Sequence, residues 1–237
     1  MKENSFFKEQ LISYGFDPTD DQLSSFERYY EMLIEWNEKI NLTAITDYNE
    51  VFVKHFLDSV SIIKAYDMSG VTSVIDVGTG AGFPGIPIKI MFPDINVTLL
   101  DSLNKRLNFL NEVISELSLE NVYTVHGRAE DVAKEKDHRE KYDLCVSRAV
   151  ANLSTLSELC IPFVKLGGSF VSYKSDKATE EITKADKAIK ILGGSFKKRI
   201  DFDLDGNNRT FIIIDKISST TKKYPRKAGT PAKEPLQ

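Results

Sequence analysis

Two cysteines in 237 residues, Cys145 and Cys160, are too few for a disulfide-stapled scaffold, and their spacing makes no metal-ligand pair. They read as reduced core residues of a cytoplasmic protein. No apolar run approaches the roughly 18 residues that a transmembrane helix needs. The start, Met1-Lys2-Glu3-Asn4, has no signal-peptide core. Repeats and low-complexity segments are absent as well. These absences exclude a secreted mini-scaffold, an integral membrane protein and a solenoid.

The hydrophobic share of 41% supports a core, and the charged share of 28% is ordinary for a soluble chain. The length fits one α/β domain with roughly 50–70 residues left for an appendage. The net charge of −4 hides an asymmetry. Residues 222–237 hold five bases (Lys222, Lys223, Arg226, Lys227, Lys233) and one acid, Glu234; the preceding 221 residues then carry 26 bases against 34 acids, a net of −8. An acidic body with a basic, polar, proline-bearing tail predicts a mobile arm that contacts a polyanion.

The chain is organised around Ser73–Gly85, S-V-I-D-V-G-T-G-A-G-F-P-G. The apolar, β-branched run Val74–Val77, interrupted by Asp76, breaks into Gly78, Gly80 and Gly82. This predicts a strand, a tight glycine loop and a helix beginning near Pro84. Such a loop lets backbone N–H groups approach a ligand closely. Counted from Gly80, the stretch reads G-x-G-x-x-G (Gly80, Gly82, Gly85), a dinucleotide fingerprint. Counted from Asp76, it resembles the first motif of S-adenosylmethionine (AdoMet) methyltransferases. Asp101, at the end of the next strand, suits ribose hydroxyls in either case. Asp76 separates the two readings: a carboxylate beside the loop suits the cationic end of methionine and repels a pyrophosphate.

Residues 5–66 predict helices. Phe6, Phe7, Leu11 and Ile12 share a face that Gly15 closes. Thr19 and Gln22 form a capping box for a second helix running to about Trp36, with 36–43 as a turn. A third helix covers about 49–66; within it, His55 reads more readily as a hydrogen-bonded structural histidine than as a catalyst. From Val71 strands (73–77, 95–101, 121–126, 142–147, 168–174) alternate with helices (84–91, 103–118, 129–136, 152–164, 177–192). Two last strands, about 195–203 and 209–217, flank the turn Asp205–Asn208. This predicts a seven-stranded, mostly parallel, Rossmann-like sheet with a terminal antiparallel hairpin, the architecture of class I AdoMet-dependent methyltransferases. The expected parts are a helical cap (1–68), a methyltransferase domain (69–218) and a basic tail (219–237).

In such sheets ligands lie at the carboxyl ends of the strands. Phe83 can pack on the cofactor. Asp101 can accept both ribose hydroxyls or merely cap the following helix. After the third strand, G-R-A-E-D (Gly127–Asp131) offers Glu130 to an adenine amino group, or else Glu130 and Asp131 only favour a helix N-terminus. Arg148, ending the fourth strand, can hold the methionine carboxylate, the acceptor base, an RNA phosphate or a surface salt bridge. The edge carries S-R-A-V in place of the N/D-P-P-aromatic motif of exocyclic amine methylation. Cys145 and Cys160 are poorly placed as nucleophiles for carbon-5 methylation.

Together, W-N-E-K-I-N-L-T, K-H-F-L-D-S, D-V-G-T-G-A-G-F-P-G, L-L-D-S-L-N-K-R, G-R-A-E, S-R-A-V-A and Y-P-R-K-A-G-T-P resemble the bacterial small-subunit ribosomal RNA guanine-N7 methyltransferases, the RsmG or glucose-inhibited division protein B family, along nearly the whole chain. The resemblance implies methyl transfer from AdoMet, with S-adenosylhomocysteine as product, to N7 of a guanine in small-subunit (16S) ribosomal RNA, naked or in a ribonucleoprotein particle. It places AdoMet contacts on Gly78, Phe83, Ala129, Glu130 and Arg148; the residue reading adds Gly80, Gly82 and Asp101. Guanine N7 carries a free lone pair, so no general base and no metal is expected. A cytoplasmic monomer without membrane attachment is the expected state. The competing readings are an NAD-type dinucleotide-dependent oxidoreductase and a non-catalytic RNA-binding factor on the same fold.

Overall fold

The computed structural model describes residues 4–148, 151–174 and 178–236. Residues 149–150 of the S-R-A-V-A stretch, the first three residues and the expected helix start at 177 lie outside them. One seven-stranded sheet runs in the order β3-β2-β1-β4-β5-β7-β6. Its strands are β1 (Ser73–Val77), β2 (Asn96–Asp101), β3 (Val122–His126), β4 (Tyr142–Ser147), β5 (Val164–Lys174), β6 (Gly194–Leu204) and β7 (Asn207–Lys216). β1 to β5 pair in parallel, while β7 pairs antiparallel with both β5 and β6.

Alternation along the strands sends side chains to two cores. Val74, Val97, Leu99, Leu144, Val146 and Ile213 pack on one face, with Phe7, Phe26, Tyr29 and Phe56 of the N-terminal helices. Ile75, Leu100, Cys145, Ile212 and Ile214 pack on the other, with Leu153, Leu156, Ala185, Ile189 and Tyr224. The first face is covered by α1 (Asn4–Ser13), α2 (Asp20–Ile40), a composite helix α3 over 48–64, α4 (Gly85–Met91) and α5 (Asn104–Glu116). α6 (Ala129–Val132), α7 (Leu153–Cys160) and α8 (Ala178–Ile191) serve the second face, and a last turn α9 (Thr230–Lys233) follows the sheet.

The capping box forms as expected: Thr19 Oγ1 accepts from Gln22 N, and Gln22 Oε1 accepts from Thr19 N. α2 outruns its predicted end, because Asn37 lies inside it and uses Oδ1 to accept from Leu42 N and Thr43 N. Asn41 takes the left-handed cap, so the turn begins there instead of at Trp36. α6 spans four residues where 129–136 was expected; the charged run 134–138 offers no apolar face to extend it. β5 starts at Val164 and passes through Gly167 and Gly168. A Cβ at Gly168 would stand 2.5 Å from the Asp143 carbonyl, so glycine there permits the close strand approach where the β4–β5 register shifts. The final turn is tighter than expected, with Leu204 paired to Asn207 across Asp205-Gly206, both at positive φ.

Candidate functional site

The glycine loop is tied to the neighbouring strand. Gly78 N and Thr79 N donate to Leu100 O, and Gly80 N donates to Asp101 Oδ2 at 3.0 Å. Asp101 also accepts from Leu103 N (2.9 Å) and from Arg106 at a longer 3.3 Å. The strand-end acid therefore fixes the loop as well as facing the hollow beside it. That hollow, of about 280 Å³, is lined by Val77, Gly78, Leu100, Asp101, Ser102, Arg106, Ala129 and Ser147, among others.

The three alternating glycines have different physical roles. All sit at positive φ. A Cβ at Gly82 would lie 2.5 Å from Tyr29 Oη and 2.8 Å from Ile86 and Leu110, so this glycine admits α2. At Gly80 a Cβ would meet only Gly78 O, at 4.0 Å, and face open space. Tyr29, fully buried, donates its hydroxyl to Ala81 O within the loop. The N-terminal helices thus brace the loop from behind, an arrangement without a local sequence signal.

Asp76 is fully buried under the loop. Its Oδ2 accepts from Thr79 Oγ1 (2.7 Å) and Gly85 N (2.9 Å), whereas Oδ1 has no partner among the described residues. Burial raises its carboxyl to about 6. An orphaned acceptor here fits a cationic donor and disfavours a pyrophosphate.

Phe83 and Arg148 belong to a second cluster, turned toward α3. A π-turn, Phe52–Leu57, widens α3 and presents His55 and Asp58 together with the Lys54 carbonyl. The His55 ring stacks on Phe83 at 4.6 Å, and the Arg148 guanidinium lies 5.0 Å from the Phe83 centroid. Arg148 donates to Asp58 Oδ2 (2.9 Å) and Lys54 O (3.1 Å) and meets His55 Nδ1 at 3.2 Å. Asp58 Oδ1 takes Arg209 Nε at 2.9 Å. Burial and the Arg148 guanidinium push the His55 imidazole down to about 3. A neutral ring accepts from Arg148 at Nδ1 and donates from Nε2 to Thr43 Oγ1 at 2.8 Å. One carboxylate thus faces two arginines, an excess of positive charge suited to an anion. Asp58, Arg209, Thr43 and Tyr29 were missing from the sequence-derived site; the i, i+3 pair His55/Asp58 in K-H-F-L-D-S was the available hint.

Glu130, in the first turn of α6, accepts from Gly229 N at 2.7 Å through Oε1. The expected site residues therefore fall into four groups. Gly78, Asp101 and Ala129 line the hollow; Gly80 and Gly82 shape the loop beside it; Glu130, next to Ala129, meets the C-terminal segment at Gly229; Phe83 and Arg148 stand in the α3 cluster. A larger hollow of about 430 Å³ lies at the β6–β7 turn, lined by Phe6, Val53, Lys54, Asp205 and Asn207, among others. It includes neither a strand-end glycine nor the acid, so size does not make it the cofactor site.

The family model GidB, described as rRNA small subunit methyltransferase G, matches residues 22–207. The chain belongs to this family. A relative from Lachnoclostridium phytofermentans, named ribosomal RNA small subunit methyltransferase G, is 54% identical over all of this chain and 98% of its own. One of the same name from Lactococcus lactis subsp. cremoris is 51% identical over 98% of both chains. Among solved structures, M. jannaschii TYW2 in complex with AdoMet aligns with a TM-score of 0.53 at 16% identity, over 68% of this chain and 77% of that one. The mitomycin 7-O-methyltransferase MmcR aligns at 0.56 and 13% identity, over 79% and 60%. These likenesses are of fold, and the fold is that of class I AdoMet-dependent methyltransferases. Among the described residues no helix is long and apolar enough to cross a membrane, and no three potential ligands gather to hold a metal ion.

Proposed function

We propose that this protein transfers the methyl group of AdoMet to N7 of a guanine in small-subunit ribosomal RNA. The observation that carries the reading is the hollow bounded by Gly78, Asp101 and Ala129 at the carboxyl edge of the sheet, in a chain of this family. Asp101 holds the ribose, with Arg106, its longest donor, the one to yield. Ala129 and Glu130 meet adenine; Gly80 leaves open space for backbone approach. Asp76, Phe83 and Arg148 serve the methionine end. When bound, AdoMet supplies an electrophilic sulfonium methyl. Because guanine N7 offers a free lone pair, the protein needs no base there, and its task is alignment of the sulfonium methyl with that lone pair. The parts divide as cap 1–68, methyltransferase core 69–218 and tail 219–237, in a cytoplasmic monomer without a resident metal.

The test compares 7-methylguanosine in small-subunit ribosomal RNA from deletion and parent cells by nucleoside mass spectrometry. The purified protein is assayed in parallel with labelled AdoMet. Loss of one 7-methylguanosine per subunit on deletion, with label transferred to RNA in vitro, is expected. Unchanged methylation on deletion would sink the reading. Calorimetric binding of NAD but not AdoMet would favour the oxidoreductase instead.

A further inference from the structure

The C-terminal segment is built into the molecule. Arg139 donates to the carbonyls of Tyr224 (3.0 Å), Thr220 (2.8 Å) and Thr221 (3.2 Å). Tyr224 is buried in the second core. Arg226 grips Glu158 of α7 with three donors: its backbone N (2.7 Å) and Nε (2.9 Å) reach Oε1, and a terminal nitrogen reaches Oε2 (2.7 Å). Glu158 is 0% exposed, so Arg226 is the counter-charge that makes its burial tolerable. Thr155 Oγ1 donates to Pro231 O at 2.9 Å. Between the anchors at Arg226 and Pro231 lies Gly229, at φ +83°, whose N–H donates to Glu130 Oε1. Among the described residues no donor reaches Glu130 Oε2.

We propose that residues 224–231 are a positioning element of the cofactor site: by holding one carboxylate oxygen of Glu130, they direct the other to the 6-amino group of the bound purine. The inference rests on the reading of Glu130 as the adenine partner. A carboxylate has several rotamers in the first turn of a helix, and ordering it on binding costs affinity. The Gly229 N–H removes that freedom in advance. The arrangement also sets specificity. A 6-amino group donates to the carboxylate, whereas a 6-oxo group presents a second acceptor and is rejected.

The experiment uses the full-length protein, S-adenosylhomocysteine and its 6-oxo counterpart S-inosylhomocysteine, with affinities by calorimetry. Wild type should prefer the adenosyl ligand by roughly tenfold or more, the worth of one hydrogen bond to a charged group. Glu130→Gln should abolish most of that preference. Arg226→Lys keeps a charge opposite Glu158 but lacks the forked donors. It should weaken the adenosyl ligand several-fold, spare the inosyl ligand and add nothing to Glu130→Gln in the double variant. Wild type gives a check independent of variant folding. By reciprocity the adenosyl ligand should slow amide exchange over 224–233, and the inosyl ligand should not. If Glu130→Gln abolishes the preference while Arg226→Lys keeps it and exchange is unmoved, the tail has no such role and the adenine reading stands. If Glu130→Gln keeps the preference, the adenine reading itself falls, and this inference with it.

Discussion

Acidification should find His55. In the folded protein its imidazole is held down to about 3, against an ordinary 6.5, by burial and by Arg148. In the unfolded chain the ring takes up a proton below about 6.5. The folded-state value is the lower of the two, so the stabilisation is present above 6.5 and is lost as pH falls. With 1.36 kcal/mol per unit, wild type should lose about 2 kcal/mol between pH 7 and pH 5 on this account, or ~1–2 kcal/mol after allowing for partial exposure of the ring. Asp76 works in the opposite sense. Its carboxyl is raised to about 6, so the folded state gains protons first and mild acid favours it. That contribution is common to wild type and variant and cancels in the comparison. The perturbation is His55→Asn, which keeps an acceptor toward Arg148 without a titratable ring. The assay is urea unfolding of both proteins at pH 7 and pH 5. The variant should be less stable at pH 7, having lost the stack on Phe83, yet lose ~1–2 kcal/mol less on acidification. Equal losses in the two proteins would refute the claim that the ring is neutral and enclosed.

Two further outcomes follow from the site and the tail. Asp101→Ala should weaken AdoMet and S-adenosylhomocysteine alike, by roughly 10–100-fold, since both share the ribose and the loop loses its tie at Gly80; a selective loss of AdoMet in calorimetry would move Asp101 from ribose to sulfonium. Lys222, Lys223, Lys227 and Lys233 are exposed while Arg226 is committed to Glu158. Replacing Lys222, Lys223 and Lys233, which lie outside 224–231, by Gln should flatten log RNA affinity against log salt by about 0.7–0.9 for each phosphate the variant no longer neutralises, with S-adenosylhomocysteine affinity unchanged. Equal slopes in fluorescence anisotropy would move the RNA-binding role to other cations, Lys54, Lys105 and Arg106 among them.

What could be read in advance was what local chemistry decides. The apolar run before three alternating glycines placed β1, its loop and α4, and Thr19/Gln22 placed the start of α2, because in each case the partners lie within a few residues. The α2 end was missed for a local reason of another kind: Asn37 reads as a turn residue, but here its side chain caps from inside the helix. The cluster around Arg148 was illegible because its partner carboxylate is 90 residues away in sequence and the second arginine 151 from that carboxylate. The tail misled through composition. Five bases against one acid suggest a solvated arm, and nothing in L-S-E-L reveals that Glu158 is buried and in need of an arginine.

The strand order also bears on synthesis from the N-terminus. β7 is the last strand to be made, yet it lies between β5 and β6. Until it docks, β5 presents an unpaired edge carrying Phe170, Val171 and Tyr173, residues that are buried in the finished sheet. β6 emerges first and belongs beyond β7, so it cannot fill that position without being displaced later. A growing chain therefore carries an apolar template for wrong pairing from the completion of β5 until β7 docks, and the β6–β7 hairpin is the unit that closes it.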